Sequence, residues 1–304
     1  MIAATSRLIL PPQAILWGLL LVNGFLIALM LALAKAATSQ GLPAVSYAFW
    51  QTLIAGLVLL LCSGNRRTVF QPRLALYFLI SGLTGIAVPN AIAFYLVTKL
   101  GSGYTGIMYA LPPIFTFLLA TSLGLERRNW VRLTGLSIAV IACTWIVVQR
   151  HAEISNANLL WFAMGLIIPA MLSIGNVYRS VAWPENTKPM VLAAGTLLAS
   201  SLALALFAVF SNTHLLPLAT HHQLLGILLL QGLLTAVTYL CAFELQRRSN
   251  PVFFSQLGAV AAVFGLLIGV VWFKEHYSLT IWLGAVVVMI GLRIGNRAAE
   301  PSQS

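Results

Sequence analysis

The chain has 304 residues, of which 60% are hydrophobic and 8% charged, and its mean hydropathy is +0.94. A soluble domain carries roughly 25% charged residues, so these values exclude a soluble globular protein. The net charge of +11 does not indicate a nucleic-acid partner either. The basic residues are scattered between apolar runs, a pattern that membrane topology explains.

A membrane span needs about 20 apolar residues to cross roughly 30 Å of hydrocarbon. In chain order, the sequence predicts spans over 14–34, 43–62, 74–97, 103–123, 130–148, 158–180, 190–210, 223–243, 252–273 and 279–295. The first run is longer than the roughly 7–15 residues of a signal-peptide core, so it reads as a retained helix. Turn-forming stretches separate the runs: SGNRR at 63–67, GSG at 101–103, WPENTKP at 183–189 and SNP at 249–251.

Lys and Arg concentrate on the cytoplasmic side of spans. With the N-terminus inside, 13 of the 17 basic residues fall inside, among them Arg66, Arg67, Arg127, Arg128, Arg132, Arg179, Arg247 and Arg248. Lys35, Lys99, Arg150 and Lys274 fall outside. All five histidines then lie on the outer side and read as loop residues. Cys62, Cys143 and Cys241 lie in or beside apolar runs, without metal-ligand spacing or a disulfide framework. No metal or other cofactor is expected.

The two halves of the chain resemble each other. Residues 90–141, shifted by 149, match at nine positions, including Ala93/Ala242, Phe115/Phe264, Glu126/Glu275 and Gly135/Gly284. Glu126 and Glu275 each lie three residues before a potential N-cap, Asn129 or Ser278. Each carboxylate is therefore expected to face the positive end of the next helix. Five spans per half is an odd number, so the second half runs inverted relative to the first. The expected division is 1–150 for the first five-helix repeat and 151–304 for the second. The fold class is an all-α polytopic membrane protein of ten helices in two inverted repeats, a design that creates a site at the repeat interface and permits alternating access.

With those features in place, the chain resembles the drug/metabolite transporter superfamily in its ten-helix EamA-type branch. The likeness covers nearly the whole chain and is carried by WG at 17–18, ALPPIFTFLLATSLGLE at 110–126, NVYR at 176–179 and GAVAAVFGLLIGVVWFKE at 258–275. The resemblance implies an inverted five-plus-five bundle, with helices 1, 3, 4, 6, 8 and 9 around a central cavity. It also implies export of a small metabolite, such as an amino acid, across a bacterial inner membrane with both termini cytoplasmic. Gln51 stands where many members carry Arg, and Ala261 and Ala262 stand opposite Pro112 and Pro113. That leaves helix 2 without the charge for a simple anion site.

Polar side chains are costly in hydrocarbon and usually face the bundle interior. The candidate substrate-binding residues are Asn23, Asn90, Tyr109, Ser173, Asn176, Gln231, Thr235, Tyr239 and Gln256. Each can instead bridge two helices, a contact worth about 0.6 kcal/mol on average. Pro89, Pro112, Pro113 and Pro169 can free backbone carbonyls for a ligand or merely kink their helices. Gly82, Gly85 and Gly265 suit close helix packing.

Glu244 is followed by Arg247 and Arg248 at i+3 and i+4, so an interfacial ion pair is expected rather than a deep proton relay. Facilitated diffusion or exchange fits that reading. An intramembrane enzyme would need convergent acid, base or metal groups, which the sequence does not supply, and no nucleotide-binding motif is present. A non-transporting assembly or lipid-binding protein stays open beside a carrier. The expected partners are a small-molecule substrate and the lipid bilayer, with no nucleic acid and a monomeric or homodimeric state.

Overall fold

A computed structural model describes residues 12–38, 40–64, 66–93, 96, 108–109, 111–150, 159–215, 222–274 and 276–297. Among them, all regular structure is helical. The longer elements are α1 (Pro12–Thr38), α2 (Ala44–Cys62), α3 (Pro72–Ala93), α4 (Pro112–Ser122), α5 (Trp130–Arg150), α6 (Ile167–Val181), α7 (Pro189–Phe210), α8 (His222–Arg248), α9 (Leu257–Phe273) and α10 (Leu279–Arg297). Short helices at Leu159–Gly165 and Pro251–Phe254 lead into α6 and α9.

Eight helices among the described residues are long and apolar enough to cross a membrane, and Pro112–Ser122 and Trp130–Ile146 are shorter apolar ones. The predicted span 103–123 is described only at 108–109 and from 111 onward. Glu153, Glu275, Glu300, His151 and His221 lie outside the described residues.

Proline does much of the local work. Pro72, Pro112 and Pro189 begin their helices, where a missing N–H costs nothing. The Pro112–Pro113 pair therefore opens α4 and does not kink a longer helix within the described residues. Pro169 cannot donate to the carbonyl four residues back, and the helix is interrupted at Leu166 before α6 starts. Pro89 follows a π-helical turn over Leu83–Ala87. The wider turn relieves the clash between the proline ring and the preceding turn.

The packing follows a regular scheme. Helix α1 lies against α8 and α9, while α6 lies against α3 and α4. Helix α2 meets α8, and α7 meets α3. Finally α2 packs along α7 and α5 along α10.

The last two pairs are antiparallel. Gly56 abuts Leu198, and the Ser46 hydroxyl near the start of α2 donates to the Leu215 carbonyl beyond the end of α7 at 2.9 Å. Along the other pair, Gly135 meets Gly295, Ala139 meets Gly291 and Ile146 meets Gly284. A Cβ on Gly291 would stand 2.7 Å from the Ala139 nitrogen, so the two backbones touch and only glycine fits. Gly82 packs similarly against Ser200 and Thr196 of α7. Gly265 differs from expectation, because a Cβ there would meet open space.

Candidate functional site

The candidate residues separate into bridges and a central cluster. Gln256 is a bridge. It is fully buried, and its amide exchanges two hydrogen bonds with Asn296 of α10, at 2.7 and 2.8 Å. Asn23 of α1 is also fully buried. With its amide turned to satisfy both neighbours, it donates to the Thr238 carbonyl at 3.2 Å and accepts from the Ala242 N–H at 3.1 Å, tying α1 to α8. Ser173 accepts from Thr116 at 3.0 Å and donates to the Pro112 carbonyl at 3.2 Å, joining α6 to α4.

Gln231 and Thr235 lie one turn apart on α8. The Gln231 amide nitrogen donates to Gln51 of α2 at 2.8 Å and lies 3.5 Å from the Thr235 hydroxyl, while its carbonyl oxygen is buried without a partner. Tyr239 is one turn further along the same face.

The remaining candidates converge. The Tyr109 hydroxyl donates to Asn90 of α3 at 2.9 Å. Tyr109 lies within electrostatic reach of Tyr239, and Tyr239 within reach of Arg179. Asn176 accepts from the Arg179 guanidinium at 2.7 Å, and Tyr77 of α3 flanks the same cation. Phe254 presents its ring 5.6 Å from the Arg179 Cζ. Helices α3, α6 and α8 and the lead-in to α9 thus meet around one cation, and Tyr109 joins the cluster through Tyr239 and Asn90. The Gln246 amide closes the α6–α8 side through the Asn176 carbonyl at 3.2 Å and the Ser180 hydroxyl.

Arg179 is the residue whose burial the sequence reading missed. The charge pattern assigns it to the inner side, which says nothing of burial, and it is 8% exposed. Arg132 is buried too. It is 1% exposed, paired with Glu126 at 2.6 Å and bonded to Asn250 at 3.3 Å. Glu126 accordingly engages a side chain in the first turn of α5.

Asn129 does cap that helix, accepting from the Val131 and Arg132 N–H groups at 2.9 and 3.1 Å. Ser278 does not mirror it, since its hydroxyl pairs with that of Thr280 at 2.7 Å. Glu244 pairs with Arg248 on an exposed face, as the i+4 spacing predicts. The three cysteines are free, and no metal-ligating cluster occurs among the described residues.

Eight membrane-length helices among the described residues, joined by buried polar bridges, define a multi-pass membrane protein. Comparison with known proteins narrows the class. The chain matches the EamA-like transporter family over residues 14–148 and again over 159–296. It is 22% identical over 241 residues to Protein PagO of Salmonella typhimurium, covering 79% of this chain and 77% of that protein. A solved crystal structure shares the fold with a TM-score of 0.77 at 16% identity, covering 94% of this chain and 99% of the other. This chain belongs to the EamA-like transporter family and is a membrane transporter by that membership.

Proposed function

We propose that the chain is a secondary transporter that exports a small polar metabolite, an amino acid or a related compound, by alternating access. Its substrate site is the polar cluster where α3, α6 and α8 meet, and it runs with both termini on the cytoplasmic side of a bacterial inner membrane. Its repeats are 1–150 and 151–304, the second inverted.

The observation that carries this reading is the symmetry of the packing. Replace each helix by its counterpart five places along. The contacts of α1 with α8 and α9 become those of α6 with α3 and α4, and the α2–α8 contact becomes α7–α3. The pairs α2–α7 and α5–α10 map onto themselves, and both are antiparallel, as an inverted repeat requires. Two family matches of similar length, one in each half, agree with it. Such a pair of halves can rock about a shared site and open it to either side in turn.

Counterflow into liposomes that hold the purified chain tests the proposal, with labelled amino acids, nucleobases and sugars as the panel. Uptake of one class without a proton gradient is expected. A panel that stays outside the vesicles under every imposed gradient would sink it.

A further inference from the structure

We propose that Arg179 binds the carboxylate of the transported substrate, an inference that rests on the carrier reading above. A cation two residues from the end of a membrane helix normally extends outward to the interface. Arg179 does the opposite. Its guanidinium lies back against Gly175, one turn earlier in α6, and against Gly85 in the π-helical turn of α3.

Both glycines make room for it. A Cβ on Gly175 would stand 3.2 Å from Nη1, and one on Gly85 would collide with it outright. Pro89, four residues beyond Gly85, has no N–H to give the 84–85 turn, so an acceptor there lacks its usual donor.

Among the described residues, no ion pair holds this cation. Ion pairs among the described residues are Arg132–Glu126 and Arg248–Glu244. A guanidinium has five N–H donors, and the bond described here goes to Asn176. The Phe254 ring faces it as well. A buried cation without a carboxylate is costly, and the missing partner fits a ligand that enters and leaves.

Among the described residues, the titratable groups that act on Arg179 are Tyr77 and Tyr239, and one cation balances one negative charge. The planar fork matches a carboxylate bidentately, whereas a phosphate site gathers further cations and backbone N–H groups. The Tyr239 and Tyr77 hydroxyls, both within electrostatic range of Arg179, stand beside the bound group.

The test uses the full chain in detergent, with thermal unfolding as the readout. The probes are the common L-amino acids, their α-amides and inorganic phosphate. At least one amino acid is expected to raise the melting temperature, and its α-amide and phosphate are not. Arg179→Gln is expected to weaken that binding about thirtyfold or more, with Arg179→Lys in between.

Should Arg179→Gln fail to fold, Gly85→Ala, which displaces the guanidinium but keeps its charge, is expected to weaken the acid and leave the amide unaffected. The inference is overturned if no amino acid shifts the wild type, if amides or phosphate bind as well as acids, or if the variants bind like the wild type. Counterflow separates the two levels. Transport that ignores Arg179 overturns the inference and leaves the carrier reading standing. Arg179-dependent binding without transport by the wild type overturns the carrier reading and keeps the site.

Discussion

Arg132 shows how one side chain can join the two halves of the chain. Its guanidinium bonds Glu126 in the same half and Asn250 in the other, and its Cζ lies 5.8 Å from the Phe117 ring. Asn250 in turn caps the lead-in to α9 by accepting from the Phe253 N–H at 2.8 Å. Removing one partner of a buried pair strands the other charge, so Glu126→Gln is expected to cost about 3 kcal/mol. Chemical unfolding in micelles measures the loss, and the double variant Glu126→Leu, Arg132→Leu should recover most of it. Half-buried Glu244, at the end of its helix, contrasts with this. Glu244→Gln is expected to change stability by less than about 0.5 kcal/mol and to leave transport insensitive to an imposed proton gradient.

The same residues show what the sequence does and does not reveal. Glu244 and Arg248 were legible because both partners lie on one helix face at a fixed spacing. The Asn129 cap was legible for a similar reason: its partners are its chain neighbours. Arg132 and Arg179 were not, because counting cations by loop ignores the direction of a side chain that points back toward the start of its helix. Gln256 was placed among possible substrate ligands because nothing in the local sequence indicates Asn296, 40 residues away, as its partner. Gln256→Leu is therefore expected to lower stability by about 0.6–1.7 kcal/mol without altering substrate affinity in the counterflow assay.

At the scale of elements, hydropathy located the eight membrane-length helices of the described residues, since runs of apolar residues are a one-dimensional property. It could not show that α3 carries a π-helical turn ahead of Pro89, or that Gly265 faces open space. The α5–α10 contact depends on small residues at Gly135, Ala139, Gly291 and Gly295. Gly291→Val places a side chain against backbone atoms of α5, which cannot yield as a rotamer can, and is expected to cost about 1–3 kcal/mol. Gly265→Ala adds a methyl to open space and removes backbone freedom from the unfolded chain. It is expected to stabilise by about 0.5 kcal/mol. Parallel unfolding curves for the two variants separate a packing glycine from an idle one.

At the scale of the whole molecule, the antiparallel pairs α2–α7 and α5–α10 form two seams between the proposed repeats, and the polar cluster lies where further helices of both halves meet. The Arg132–Asn250 bond crosses between the halves at the end that the charge pattern places inside the cell. In the proposed orientation, a cysteine introduced at Arg67 is shielded from an impermeant thiol reagent in intact cells and one at Ser211 is labelled. The reverse result would turn the topology over.

The most direct test of alternating access through inverted halves is a pair of spin-label distances on a background lacking Cys62, Cys143 and Cys241. One pair, at Arg127 and Arg247, spans the halves at the inner end; the other, at Gln40 and His276, spans them at the outer end. Addition of the substrate identified by counterflow should shift the two distance distributions in opposite directions, one end widening as the other narrows. Distances that stay fixed, or that widen together, would contradict the account.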